Sequence, residues 1–258
     1  MKSPIPALII NLDHRPDRLS SLTKSIQDFA ADVINPVYRI PAVFEPTNGN
    51  RGCMMSHRAA LQKAWDEGWE QFIIFEDDAT LDYLSRERLL TCLAELPHDY
   101  KIFLASASWV EDRACRIHSQ HLVEVVKFTG SHFVMYQREV IPQVLRAIRQ
   151  NSPYLTTPAR SPYCPMDHLL AVLIPTKYIA CPFVGYVLDG DQSDIRLADP
   201  SCRRDLEECI LPTEKDLLKL FRSSHRMTRM KRRRIMNEVY HQYYQESWQM
   251  MSGSLNKI

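Results

Sequence analysis

The sequence predicts an α/β protein: a mostly parallel central sheet flanked by helices, followed by a helical extension. Three observations carry this. Short apolar runs at residues 7–12 (ALIINL) and 72–75 (FIIF) read as strands buried on both faces. Segments with helical spacing alternate with such runs, the pattern of a parallel sheet covered on both sides. Beyond about residue 199 the texture changes to long, charged, helical segments with few strand signals. At 258 residues the chain accommodates one large domain or two small ones. The boundaries adopted are 1–198 for the α/β domain and 199–258 for the extension.

Taken in order, the first run is a core strand. Pro16 suits the first turn of the helix after it, with Leu19, Leu22, Ile26 and Phe29 on one face. The β-rich stretch VINPVYRIPAVF carries Pro36 and Pro41, so it is expected to be short or an edge. Residues 48–52 (NGNRG) read as a turn, 53–67 as a helix, and Gly68 falls where a helix end favours a left-handed residue. FIIF follows and stops at Glu76, Asp77 and Asp78. A helix is expected at 85–96, a third strand in YKIFLA, and strands in LVEVVKF and HFVMY around Gly130. Helices at 138–150 and 167–173 flank a proline-rich loop (Pro153, Pro158, Pro162, Pro165), and YIACPFVGYVL reads as one late strand.

Composition narrows the function. Lys+Arg 32 against Asp+Glu 31 leaves a net charge of +1, so no global field selects nucleic acid or an acidic partner. The seven cysteines include no CxxC pair and read as reduced thiols in a cytosolic setting, not a disulfide frame or a zinc site. No run approaches a membrane span, and the N-terminal run lacks a small-residue cleavage site, so a core strand is expected there and not a signal peptide. With only 7 glycines there is no GxxxxGK or GxGxxG loop, and a nucleotide bound here is held by other means.

In sheets of this kind ligands sit outside the carboxyl ends of the strands. Residues 11–18 and 76–78 follow two such strands and are expected on one rim. Carboxylates there suit a hard divalent cation bound together with a substrate phosphate. Capping of the next helix, or solvation, explains an EDD strand end equally well. Arg15, Arg18, Arg51 and Arg58 offer planar forks for phosphate oxygens, though each alone reads as surface charge. Ser56 and His57 are helical neighbours that do not face each other, so they form no hydrolase dyad; a hydrogen-bonding or packing role is favoured for His57. His118 and His121 in HSQH have metal-like spacing without an acid nearby in sequence. Asp167 reads as a helix cap, and DQSDI (191–195) as turn chemistry.

In their order along the chain these segments resemble glycosyltransferase family 25, which includes lipooligosaccharide and collagen hydroxylysine galactosyltransferases. The residues that carry the resemblance are INLDHRPDR, GCMMSH, FIIFEDDATL, TGSHFVMY, MDHLL and QSDI, spanning about residues 10–195. The resemblance implies a GT-A-like nucleotide-sugar-binding fold and a UDP-sugar donor, typically UDP-galactose or UDP-glucose. It also implies a Mn2+ (or Mg2+) ion, and transfer with inversion to a hydroxyl of a glycan, lipooligosaccharide or protein. Carried over, Glu76 and Asp78 are the metal positions. Asn11, Arg15, Arg18, Ser56, His57, Asp77 and Gly130 belong to the donor-contact motifs. Asp167 and Asp194 are the matched acids, with Asp167 expected to be the base that takes the acceptor proton. The chain departs from the family at Asn50 and Arg51, where an acid and an aliphatic residue usually precede the Gly-Cys pair.

Residues 221–236 (FRSSHRMTRMKRRRIM) hold seven Arg or Lys and no acid. They suit peripheral contact with an anionic membrane, which a lipid-linked acceptor would make useful, or a solvated helix face. The expected setting is the cytoplasm, with peripheral contact at the inner membrane face, and no nucleic-acid partner. Two other readings compete: a metal-dependent phosphoryl or nucleotidyl transferase, which would turn over nucleoside triphosphates, and a non-catalytic UDP-sugar-binding module, which would bind UDP without turnover.

Overall fold

The computed structural model describes residues 3–46, 48–110, 115–151 and 166–187. The expected extension from 199, Asp194 and the basic segment 221–236 lie outside these residues. In chain order the elements are β1 (Ile5–Asn11), α1 (Pro16–Ala30), β2 (Ile34–Pro41), α2 (Gly49–Asp66), β3 (Gln71–Glu76), β4 (Ala79–Leu81), α3 (Ser85–Glu95), β5 (Ile102–Leu104), β6 (Trp109–Val110), β7 (Arg116–Ile117), β8 (Leu122–Val125), β9 (Phe128–Thr129), β10 (Phe133–Gln137), α4 (Ile141–Asn151), α5 (Met166–Leu173), β11 (Lys177–Ala180) and β12 (Gly185–Val187).

The main sheet has eight strands in the order β2-β1-β3-β10-β5-β11-β8-β7. Its pairings make β2, β1, β3, β5, β11 and β7 run one way, with β10 and β8 reversed. Strand periodicity divides the core in two. Leu8 and Ile10 of β1 join a cluster with Met54, Leu61, Val144, Ile148 and Leu170, under α2, α4 and α5. Ala7 and Ile9 join Leu22, Ile26, Leu89 and Cys92, under α1 and α3. Phe72, Ile73, Ile74 and Phe75 of β3 are fully buried, alternating between the two layers. Each such side chain contributes about 1.5–3 kcal/mol relative to exposure. The sheet flanked by helices is thus as expected, and β2 is the predicted edge, although it runs a full eight residues.

Four local readings are corrected. The helix expected from Cys53 begins at Gly49, because the Asn48 side chain accepts a hydrogen bond from Arg51 N at 3.1 Å and caps it. The expected helix from 138 starts with a single 3-10 turn, Arg138–Val140. LVEVVKF divides between β8, in the main sheet, and β9, which pairs β6. The late strand divides at Pro182, whose missing N–H cannot continue a ladder; β12 turns away to pair β4. Gly68 adopts the expected left-handed conformation, φ 73°.

One feature of the topology positions the site. Ile10 of β1 is in register with Glu76 of β3, so those strands end together. The reversed β10 begins beside the same point, with Phe133 opposite Phe75 and Glu76 N donating to His132 O at 2.9 Å.

Candidate active site

The three acids go to different partners. Asp77 turns toward the β1 loop: Asn11 Nδ2 donates to its Oδ2 at 2.7 Å, and Arg18 NH1 lies 3.4 Å from Oδ1. Asn11 is itself held, donating to Arg15 O at 2.7 Å and accepting from Arg39 Nε at 3.0 Å. Burial pushes the Asp77 carboxyl up from its usual range, against the opposing pull of Asn11 and Arg18. Arg15 forks onto Asp17 at 3.1–3.2 Å.

Glu76 and Asp78 face the other way, toward the turn before β10. Three consecutive residues of that turn each hold an acid. Gly130 N donates to Asp167 Oδ2 at 2.7 Å, Ser131 Oγ donates to Glu76 Oε1 at 2.6 Å, and His132 Nδ1 lies 3.3 Å from Asp78 Oδ1 and 3.6 Å from Glu76 Oε2. Gly130 has φ +92°, and a Cβ there would stand 2.7 Å from Ser108 Oγ and 2.8 Å from Ser108 N, so only glycine fits. Ser108 Oγ lies 3.0 Å from His132 Nε2 and orients the ring. Asp167, at the first turn of α5, also accepts from His168 N at 2.8 Å.

From α2, His57 Nε2 meets Glu76 Oε1 at 3.1 Å; the ring is wholly buried, consistent with a hydrogen-bonding and packing role. Its neighbour Ser56 points elsewhere, donating to Gly52 O at 2.7 Å and accepting from Val43 N at 2.8 Å. Arg51 pairs with Glu45, and Arg58 lies exposed on α2. His118 packs edge-on against Tyr178, while His121 finds in Glu95 an acid partner, 2.6 Å from its Nδ1, that local sequence does not display.

The electrostatics follow. Burial disfavours charge on both Glu76 and His132, but it is outweighed at Glu76 by His132 and then His57, and at His132 by Asp78 and then Glu76. Glu76 is held well below the usual carboxylate range and His132 well above the usual imidazole range. The ligand atoms of Glu76, Asp78 and His132 all lie within 4.8 Å of one another. Asp78 Oδ1 and His132 Nδ1 are buried and face each other without hydrogen-bond geometry. Two carboxylate oxygens and one imidazole suit Mn2+ or Mg2+, so the residues fit the cation that the resemblance implies. His132, Ser131 and Ser108 were missed in the site expected from sequence; the SH of TGSHFVMY was the available signal for the first two, and Ser108 had none.

Comparisons with known proteins bear on the family and the fold. The sequence model of glycosyltransferase family 25 (LPS biosynthesis protein) matches residues 27–160, just over half of the chain. No curated protein sequence matches. Among solved structures, a glycosyltransferase involved in the glycosylation of the major capsid of PBCV-1 shares the fold, with TM-score 0.50 at 8% identity, over 78% of this chain and 99% of that one. WbbM bifunctional glycosyltransferase in its apo form (TM-score 0.34, 9% identity, 58% of this chain and 34% of that one) also matches. So does mannose-1-phosphate geranyltransferase from Thermus thermophilus (TM-score 0.34, 9% identity, 70% and 74%). At those scores the last two carry no argument about the fold. With the family model covering half its length and a GT-A-like α/β fold around the acids, this chain belongs to glycosyltransferase family 25.

Proposed function

We propose that this site transfers a hexose, galactose or glucose, from a UDP-sugar to a hydroxyl of a glycan, lipooligosaccharide or protein acceptor, with inversion. The observation that supports it is the Gly130-Ser131-His132 turn, which gathers Glu76, Asp78 and Asp167 at the carboxyl ends of β1 and β3. Glu76, Asp78 and His132 would hold Mn2+ or Mg2+, the ring giving up its proton as a ligand. A divalent cation there supplies a Lewis acid for the charge that develops on the leaving diphosphate.

The chain's own residues do the rest. Ser131 and His57 keep the Glu76 carboxylate oriented, and Ser108 keeps the His132 ring in place. Asp167, held by two backbone N–H groups, takes the proton of the acceptor hydroxyl as its oxygen attacks opposite the phosphate. Asp194, outside the described residues, is the other acid for that role. Asn11, Arg18 and Asp77 hold the β1 loop against the acidic turn, and Arg15 borders the donor side.

UDP release from a panel of UDP-sugars, with Mn2+ and with chelator, tests this on wild type and Asp78→Ala. Hydrolysis of one donor that needs both the ion and Asp78 names the donor. Release insensitive to chelator and to Asp78→Ala would sink the metal assignment, and UDP binding with no release from any donor would favour a binding module.

A further inference from the structure

Cys53 and His57 are four residues apart on α2, so they lie one turn apart on a single face. That face meets Glu76 at the end of β3, where His57 Nε2 lies 3.1 Å from Oε1. A cysteine sulfur, an imidazole nitrogen and a carboxylate oxygen, from Cys53, His57 and Glu76, lie within 4.8 Å of one another. His57 is wholly buried, and its Nδ1 has no hydrogen-bond partner among the described residues. Only Nε2 is engaged, with Glu76.

We propose that Cys53, His57 and Glu76 form a binding position for a thiol-seeking divalent cation of the zinc class. It lies beside the Glu76–Asp78–His132 set and shares Glu76 with it. The donor atoms decide the class. Mg2+ and Mn2+ prefer oxygen and avoid sulfur, whereas a Cys-His-carboxylate set with one open position is characteristic of zinc. Binding replaces the thiol proton, which leaves to solvent as the sulfur–metal bond forms. Because both positions need Glu76, a zinc-class ion competes there with the hard cation. That competition rests on the cation proposed above, whereas the Cys53–His57–Glu76 position itself needs only its own three ligands.

The test uses Co2+ as a spectroscopic substitute for Zn2+ on the full chain, reading the near-ultraviolet charge-transfer band of a thiolate–cobalt bond. The expected result is a band that saturates at a stoichiometric amount of Co2+ and is removed by stoichiometric Zn2+. It is lost in Cys53→Ser and retained in Asp78→Asn. Absence of the band in wild type overturns the proposal. So does an undiminished band in Cys53→Ser, or equal loss in both variants, which would merge the two positions into one. A second measurement needs no variant: Zn2+ should slow alkylation of Cys53 in the wild-type chain, read on its peptide by mass spectrometry. Equal labelling with and without Zn2+ counts against the site. Neither readout involves sugar transfer, so failure here and failure of the glycosyltransferase reading are separable.

Discussion

The two sides of the acidic turn differ in how completely their polar atoms are hydrogen-bonded. On the β1 side, Asp77 receives Asn11 and Arg18, and Asn11 is in turn tied to Arg15 O and Arg39. On the β10 side, buried Asp78 Oδ1 and His132 Nδ1 face each other without a hydrogen bond. A buried polar network whose members are mutually satisfied rigidifies a structure, whereas one with orphaned atoms is costly unless something else completes it. The first side therefore acts as a clamp, and the second is where a ligand is expected. Mutations should separate them: clamp variants lose stability, and β10-side variants lose activity.

The largest expected effect tests the β10 side. His132→Gln should cut metal-dependent UDP release about 10- to 100-fold, and the free energy lost from transfer should exceed the stability lost with its contacts to Glu76 and Asp78. Equal losses of stability and turnover would erase the distinction. Gly130→Ala strikes both properties at once. Its Cβ would collide with Ser108 at a positive φ, costing about 2–3 kcal/mol in denaturant unfolding and displacing the turn that holds the three acids.

Asn11→Ala tests the clamp. It removes a buried hydrogen bond to Asp77 and should cost about 1–3 kcal/mol, with donor hydrolysis falling less than in His132→Gln. A normal melting temperature in this variant would mean that the clamp is not structural.

Lys177 offers a control outside the acidic turn. It is fully buried on β11, its ammonium donating to Ala171 O at 3.1 Å and to Ile174 O at the end of α5. Burial pulls it from 10.5 down to about 7. Between those values the unfolded chain binds more protons than the folded one, so stability should rise with pH from about 7 toward 10.5 and fall as pH drops. The slope is at most about 1.4 kcal/mol per pH unit. Lys177→Met should flatten it, as measured by urea unfolding on either side of about pH 8. Least affected of all should be Lys24→Ala, which breaks an exposed pair with Asp28 on α1 and should leave both melting temperature and turnover unchanged.

Much of this was legible in the chain itself. Apolar runs marked β1 and β3 because a strand covered on both faces has no polar side to show. The proline-marked β2 was legible as an edge, since a missing N–H costs little where no neighbour needs it. The acidic triplet was legible as a group. What could not be read was its division, with Asp77 sent to Asn11 and Arg18 while Glu76 and Asp78 went to His132.

That division belongs to the tertiary structure. Residues 11, 76 and 132 are far apart in sequence, and their meeting depends on β10 entering the sheet antiparallel beside β3, so that its first residues reach the last of its neighbour. Local propensity is blind to such a pairing, because strand direction is decided by which buried faces and connections fit together. The same holds for Cys53 and His57, a helical pair whose third partner, Glu76, arrives only when α2 packs on the sheet. Residue order alone was enough to set the main elements, their succession and the acids that a cation would need; packing split two expected strands and chose which side of the rim each acid serves.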